Sequence, residues 1–331
     1  MRIKSIIANL TLLSVSALAV LGVSEVASRY MVPVSSGPSL LDMNGNALSQ
    51  SYIKPNTQFR IITPDFDAPT SITADGYRGP EAKDNNPTTL FVGDSFTYGQ
   101  GVKDNEAFPH LFCEAKNLSC ANLAVPGAST LYEVDRLEAF LKKKGWAPDN
   151  VYLFFFTGND FGDNNWAAEQ RRLGKSYEPV ELHPEIEKAN KASLPFHKRL
   201  LEQGFKYSNL LRVAYFKVLP SLRQQGDPEA HKAQMEQSLL IAKEGFERLH
   251  KLSQAYAFKY KIFVLYSEPE IRQNRHKLLR DELQRVAPSK IISLGEIFET
   301  NTAAQYFPAD GHFTVSGNRL LAEHLGKIIP E

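Results

Sequence analysis

Cysteine is nearly absent: Cys113 and Cys120 are the only two in 331 residues. A multi-cysteine metal site and a disulfide-dense scaffold are both excluded by that count. The eight histidines include no pair at metal-ligand spacing, and no glycine-rich phosphate loop appears, so neither a metal nor a phosphate-bearing cofactor is expected. An excess of charge is also missing. Lys and Arg number 38 against 37 Asp and Glu, a net charge of +1. That balance gives no electrostatic reason to expect nucleic acid as a partner. Internal repeats and low-complexity tracts are absent too, which excludes a solenoid or a long disordered tail.

What is present begins at the N-terminus. Arg2 and Lys4 precede an uncharged apolar run from Ser5 to about Val23, and Glu25 is the next charge. Basic residues before an apolar stretch form an export signal, with the body of the chain outside the cytoplasm. Ala17-Leu18-Ala19 has the small-x-small form of a cleavage site, yet the run is long enough to span a bilayer uncleaved. A signal peptide or membrane anchor over 1–28 and a periplasmic or membrane-tethered location are therefore expected. In an oxidising compartment Cys113 and Cys120 can close a short loop, or remain two partly buried thiols.

Residues 29–86, rich in Pro, Ser, Asn and Asp, read as a linker and irregular extended segment, with β-prone pieces such as Phe59–Ile62. From 87 onward the pattern changes to a single domain. Thr88–Val92, Val151–Phe156 and Ile262–Tyr266 are continuous apolar runs, as strands buried on both faces require. Weaker strands are expected at Asn122–Val125 and Ile291–Leu294. Between them lie helical stripes: Leu131, Val134, Leu137, Leu141; Met235, Leu239, Ala242, Phe246, Leu249; Ile271, Leu278, Val286; and Leu320, Leu321, Leu325, Ile328. This alternation predicts an α/β fold, a doubly wound parallel sheet between two helix layers. Residues 161–228 interrupt it as a mostly helical insertion.

In such a sheet ligands bind beyond the carboxyl ends of the strands. The residues that follow the apolar runs there are Gly93-Asp94-Ser95, Pro126-Gly127, Gly158-Asn159-Asp160 and finally Asp310-Gly311-His312. A serine hydroxyl needs a base to become a nucleophile, and histidine titrates near working pH. An aspartate fixes the histidine tautomer, and amide donors stabilise an oxyanion. The Ser95 N–H, the Gly127 N–H and the Asn159 side chain are candidate donors. Taken singly each motif is an ordinary turn or loop; their order and placement at strand ends make the set meaningful. Asp160 is expected to cap the following loop. Trp166 is expected either to line a sugar cleft or to pack the insertion, and Phe96 and Tyr98 to pack. Lys142-Lys143-Lys144 reads as a solvated helix end.

These blocks resemble the four motifs of the SGNH hydrolase family, the GDSL-type esterases, in the family's order from Leu90 to about Leu325. Asp75-Gly76-Tyr77-Arg78-Gly79-Pro80 resembles a pattern of its exported bacterial members. The resemblance implies a three-layer α/β/α fold with a flavodoxin-like sheet. It also implies Ser95 as nucleophile, His312 as base, and Ser95, Gly127 and Asn159 as the oxyanion hole. The family often places the aspartate three residues before the histidine. That position is Ala309 here, and the orienting acid falls to Asp310, two before. The implied activity is hydrolysis of acetyl-type esters on envelope or extracellular carbohydrate, or on another acylated small molecule. Transfer of the acyl group to a sugar hydroxyl and a non-catalytic envelope role are the alternatives.

Overall fold

The computed structural model describes residues 2–32, 34, 37–46, 48, 52–179, 182, 195–219 and 228–329. Five strands form a parallel sheet: β4 (Thr89–Gly93), β5 (Cys120–Asn122), β6 (Asn150–Phe156), β7 (Lys259–Leu265) and β8 (Ile291–Ser293). Their order is β5-β4-β6-β7-β8, the flavodoxin-like order 2-1-3-4-5. The expected strands at Asn122–Val125 and Ile291–Leu294 are shorter and begin earlier, or end sooner, than their apolar runs.

Side chains alternate across the sheet, so each strand contributes to two layers. Phe154 stacks between Phe91 and Phe263, at 6.0 and 4.9 Å, and meets Phe108 of α3 (Phe108–Ala115) edge-on. Its neighbour Phe155 takes the opposite face, against Phe161 of α5 (Asp160–Arg172) and Phe246 of α8 (Pro228–Tyr256). The second layer also holds α4 (Thr130–Lys144), started by the Ser129 side chain and ended by Gly145 in the left-handed region. Each fully buried ring contributes about 1.5–3 kcal/mol, which offsets the cost of the polar groups gathered at the strand ends.

Three findings differ from the sequence expectations. Residues 39–72 are not a linker: β1 (Ser39–Asp42), β2 (Thr57–Ile62) and β3 (Asp67–Ile72) pair antiparallel in that order. Phe59, Ile61, Ile72 and Tyr52 form a second apolar cluster with Tyr98, Ala124 and Val125 of the main domain. The helix expected through Ile271, Leu278 and Val286 is two, α9 (Glu268–Arg272) and α10 (His276–Gln284). Asn274 between them has φ +54°, which breaks the phase. Leu278 is consequently exposed while Leu279 and Leu283 are buried. Third, Lys144 is paired with Asp75 rather than solvated. Residues 180–181, 183–194 and 220–227 of the expected insertion lie outside the described residues. What is described of it is helical: α5, α6 (Phe196–Tyr207) and α7 (Asn209–Val213).

The N-terminal helix α1 runs from Arg2 to Met31. Among the described residues it is the one helix long and apolar enough to cross a membrane, from Ile6, and none of that window is buried. Its last turn is fastened to α7. Glu25 accepts from the Ser208 hydroxyl and from the Asn209 and Leu210 N–H groups, at 2.8–3.0 Å. The fully described chain closes with α11 (Thr302–Gln305) and α12 (Val315–Ile328).

Candidate active site

β4 ends at Gly93, where the backbone of β6 leaves no room for a side chain: a Cβ would lie 2.9 Å from the Phe154 carbonyl oxygen. Asp94 then caps the short helix α2 (Ser95–Tyr98), its Oδ1 accepting from the Phe96 N–H at 2.9 Å. That cap turns the chain sharply and leaves Ser95 as the first helical residue, at the carboxyl edge of the sheet beside its topological switch point. Ser95 is 8% exposed.

His312 arrives from the far end of the chain. Its Nε2 lies 2.7 Å from Ser95 Oγ and its Nδ1 2.5 Å from Asp310 Oδ1. A carboxylate can only accept, so Nδ1 carries the hydrogen and Nε2 presents its lone pair to the serine hydroxyl. The same hydroxyl has a second, longer option at Asp94 Oδ2, 3.3 Å away.

The short Asp310–His312 spacing works because of the loop's geometry. Tyr306 and Phe313 bridge, and Phe307 N–H donates to the His312 carbonyl at 2.8 Å. Gly311 sits at φ +92°, a region other residues enter at a cost, and folds Asp310 back under the ring. Asp65 secures the turn: one of its carboxylate oxygens accepts from both the Ala309 and Asp310 N–H groups at 2.7 Å. Phe96 lies 4.6 Å from the imidazole and stacks on Phe156 at 3.6 Å, so its packing role includes the His312 ring.

The other expected residues fall as follows. Gly127 occupies the turn after β5 at φ +71°. Asn159 stands at the start of α5, as expected from its block, but its amide nitrogen donates to Asp163 Oδ2 at 2.7 Å and its Oδ1 is buried with no partner. Asp160 does not cap the following loop. It turns back, and its Oδ2 accepts from the Phe156 N–H at the end of β6 at 2.7 Å. Trp166 is half-buried on α5. Tyr98 is fully buried, edge-on to Tyr52. Cys113 and Cys120 are joined by a disulfide.

Sequence reasoning missed three contributors. Arg78, 1% exposed, donates to the carbonyls of Tyr98, Gly99 and Val102 and pairs with Asp104 at 3.1 Å. It thereby fixes the loop after Ser95, which gives the Gly-Tyr-Arg-Gly-Pro stretch a physical purpose. Gln100, on that loop, reaches within 3.5 Å of His312 Nδ1 and closes one side of the ring. The third is a group of buried acids behind Ser95. Burial, then neighbouring carboxylates, push Glu133 and Asp160 well above the usual carboxylate range. Burial also pushes Asp94 up, against the opposing pull of the Phe96 N–H, the His312 ring, Asn159 and the Ser95 hydroxyl.

A parallel α/β/α sheet thus carries a Ser–His–Asp hydrogen-bond chain at its carboxyl edge. The GDSL-like lipase/acylhydrolase family model matches residues 90–325, and the chain belongs to that family of carboxylic ester hydrolases. Solved structures similar to this chain include a G-D-S-L family protein from Desulfitobacterium hafniense DCB-2. It is 10% identical, with 74% of this chain and 100% of that one covered and a TM-score of 0.39. The lipase/acylhydrolase from Enterococcus faecalis is 15% identical, covering 72% and 95%, with a TM-score of 0.36. A carbohydrate esterase family 2 enzyme with a carbohydrate-binding domain, from Corynascus thermopiles (Myceliophthora fergusii), is 11% identical, covering 89% and 87%, with a TM-score of 0.36. No curated protein sequence matches the chain.

Proposed function

We propose that this chain hydrolyses small acyl esters, acetyl esters of envelope or extracellular carbohydrate foremost, through an acyl-enzyme on Ser95. The observation that carries the reading is the continuous hydrogen-bond chain Ser95 Oγ–His312–Asp310. His312 Nε2 takes the hydroxyl proton as Ser95 Oγ attacks the ester carbonyl carbon. The tetrahedral oxyanion collapses as His312 returns that proton to the leaving alcohol. Water, deprotonated by the same nitrogen, then releases the acid and restores the serine. Asp310 and the buried Asp94 both attract the imidazolium, which lowers the cost of charge separation.

The oxyanion donors are assigned to the Ser95 N–H, the Gly127 N–H and Asn159. Neither backbone N–H has a hydrogen-bond partner among the described residues, as an empty hole requires. The Asn159 side chain gives a hydrogen to Asp163 and also bonds Asp94, and the assignment has it turn one of its two hydrogens to the oxyanion during attack.

The location follows from α1. We assign it as a retained anchor, because Glu25 near its end is hydrogen-bonded into the helical insertion through Ser208, Asn209 and Leu210. Arg2 and Lys4 then remain cytoplasmic and the hydrolase faces outward.

Ser95→Ala is expected to abolish turnover of a chromogenic acetyl ester while the melting temperature stays close to the parent's. Undiminished turnover would remove Ser95 from the mechanism. Release of free acetate from acetylated oligosaccharide, against its appearance on an added sugar acceptor, decides between hydrolysis and transfer.

A further inference from the structure

We propose that helix α6 lies on the outward surface of the membrane that α1 crosses, with Phe196, Leu200 and Tyr207 seated among the lipid headgroups. The proposal rests on the anchor reading above and adds a second, peripheral contact with the bilayer.

The first observation is an apolar stripe with nothing on it. Phe196, Leu200 and Tyr207 are 74%, 62% and 66% exposed. At about 100° per residue, positions i, i+4 and i+11 fall within about 40° of one another on a helix. They therefore form one line along α6. The opposite side carries Phe205, about 160° around the helix from the stripe, which packs on Tyr215 at 4.9 Å, while Gly204, beside the stripe, leaves room for Leu211 of α7. A helix apolar on both faces needs a second apolar neighbour.

The second observation says which neighbour. The chain is uncharged from Ser5 to Ser24. Nineteen helical residues, Ile6 to Ser24, rise about 28 Å, which matches a hydrocarbon core of about 30 Å. Glu25, Ser28 and Arg29 then stand just outside it, and these are the residues that hold the end of α6 and the start of α7. Arg29 Nη2 donates to the Tyr207 carbonyl at 2.7 Å. Glu25 receives the Ser208 hydroxyl and two N–H groups of α7. Asn209, 2% exposed, donates to Ser28 Oγ and to the Val32 carbonyl and accepts from Val34 N–H. Arg212 donates to the Val34 carbonyl at 2.7 Å. The C-terminal end of α6 is thus fixed within one turn of the hydrocarbon boundary, at headgroup depth.

The chemistry of the stripe suits that depth. Tyr and Phe partition to the interface, where a ring can be apolar on one side and wet on the other. The exposed Lys206 flanks the stripe, its ammonium 5.6 Å from the Tyr207 ring, and offers a cation to anionic headgroups.

The test uses the full chain in liposomes of phosphatidylcholine and phosphatidylglycerol, some carrying phosphatidylcholine brominated high on the acyl chain. Tyr207→Trp and, separately, Phe196→Trp add a reporter to the two native tryptophans, Trp146 and Trp166. The brominated lipid is expected to quench the added fluorescence at least twofold more than that of the parent. The intact mass of the membrane-extracted protein is measured on the same sample. A full-length mass with unquenched reporters at both positions, or with crosslinks through position 207 to a second copy, overturns the docking and leaves the anchor in place. A mass lacking the residues before Glu25 overturns the anchor, and the docking with it. Neither outcome touches the esterase reading.

Discussion

Two sets of carboxylates flank Ser95, and the fold treats them oppositely. On the histidine side, Asp310 meets the Nδ1 hydrogen of His312, and Asp65 accepts from two backbone N–H groups. On the sheet side, both oxygens of Glu133 and one of Asp160 are buried with no hydrogen-bond partner. The first pair is met by hydrogen-bond donors. The second is pushed toward the neutral form by burial and by neighbouring acids. Donors thus meet the carboxylates beside His312, while the acids behind Ser95 go without them. The comparison teaches that the site is polarised by hydrogen-bond supply, not by the number of acids.

The largest effect should come from breaking the histidine side. In Asp310→Asn the amide no longer demands a hydrogen on Nδ1, and the tautomer that offers Nε2 to Ser95 loses its support. Turnover of an acetyl ester is expected to fall by about 10³–10⁴-fold with the fold intact. A fall of less than tenfold would show that Asp94 or Gln100 orients the ring instead. A smaller loss is expected on the sheet side. Asn159→Ala removes one oxyanion donor and should cost about a hundredfold or more in kcat with little change in KM. An unchanged kcat would mean that the bond to Asp163 occupies the amide throughout the reaction.

The histidine side was legible in the chain and the sheet side was not, for physical reasons. Ser95 and His312 were recognisable because apolar runs and turn residues are local signals, and Gly311 explains why a two-residue spacing suffices. The strands β1–β3 were hidden by composition. Pro69 lies within β3, which tolerates it only as the edge of its sheet, opposite Arg60. Arg78, Gln100 and Asp65 act on partners distant in sequence or through backbone carbonyls, and no periodicity marks such a role. Glu133 looked like any surface glutamate at the edge of the α4 stripe. It is 2% exposed because α5, the first helix of the insertion, packs over it through the Asn164–Thr130 hydrogen bonds at 2.9 and 3.1 Å.

That buried glutamate carries the smallest and most specific expectation. Its folded pKa is raised above the unfolded value, so the folded chain binds a proton that the unfolded chain has released. The stability tied to this group is complete below the ordinary glutamate pKa of 4.5 and is lost as pH rises through the folded value. Within that window the loss approaches about 1.4 kcal/mol per pH unit for one group. Glu133→Gln cannot ionise, so it carries no charge for Asp94 and Asp163 to oppose. Urea unfolding at pH 5 and pH 8 is therefore expected to show a shallower loss of stability in Glu133→Gln than in the parent, with acetyl-ester turnover changed less than tenfold. Parallel pH dependences would place the proton on Asp160 or Asp94 instead. They would also dissolve the contrast between the two sides of Ser95, because Glu133 would then be a charge that the core tolerates without a partner.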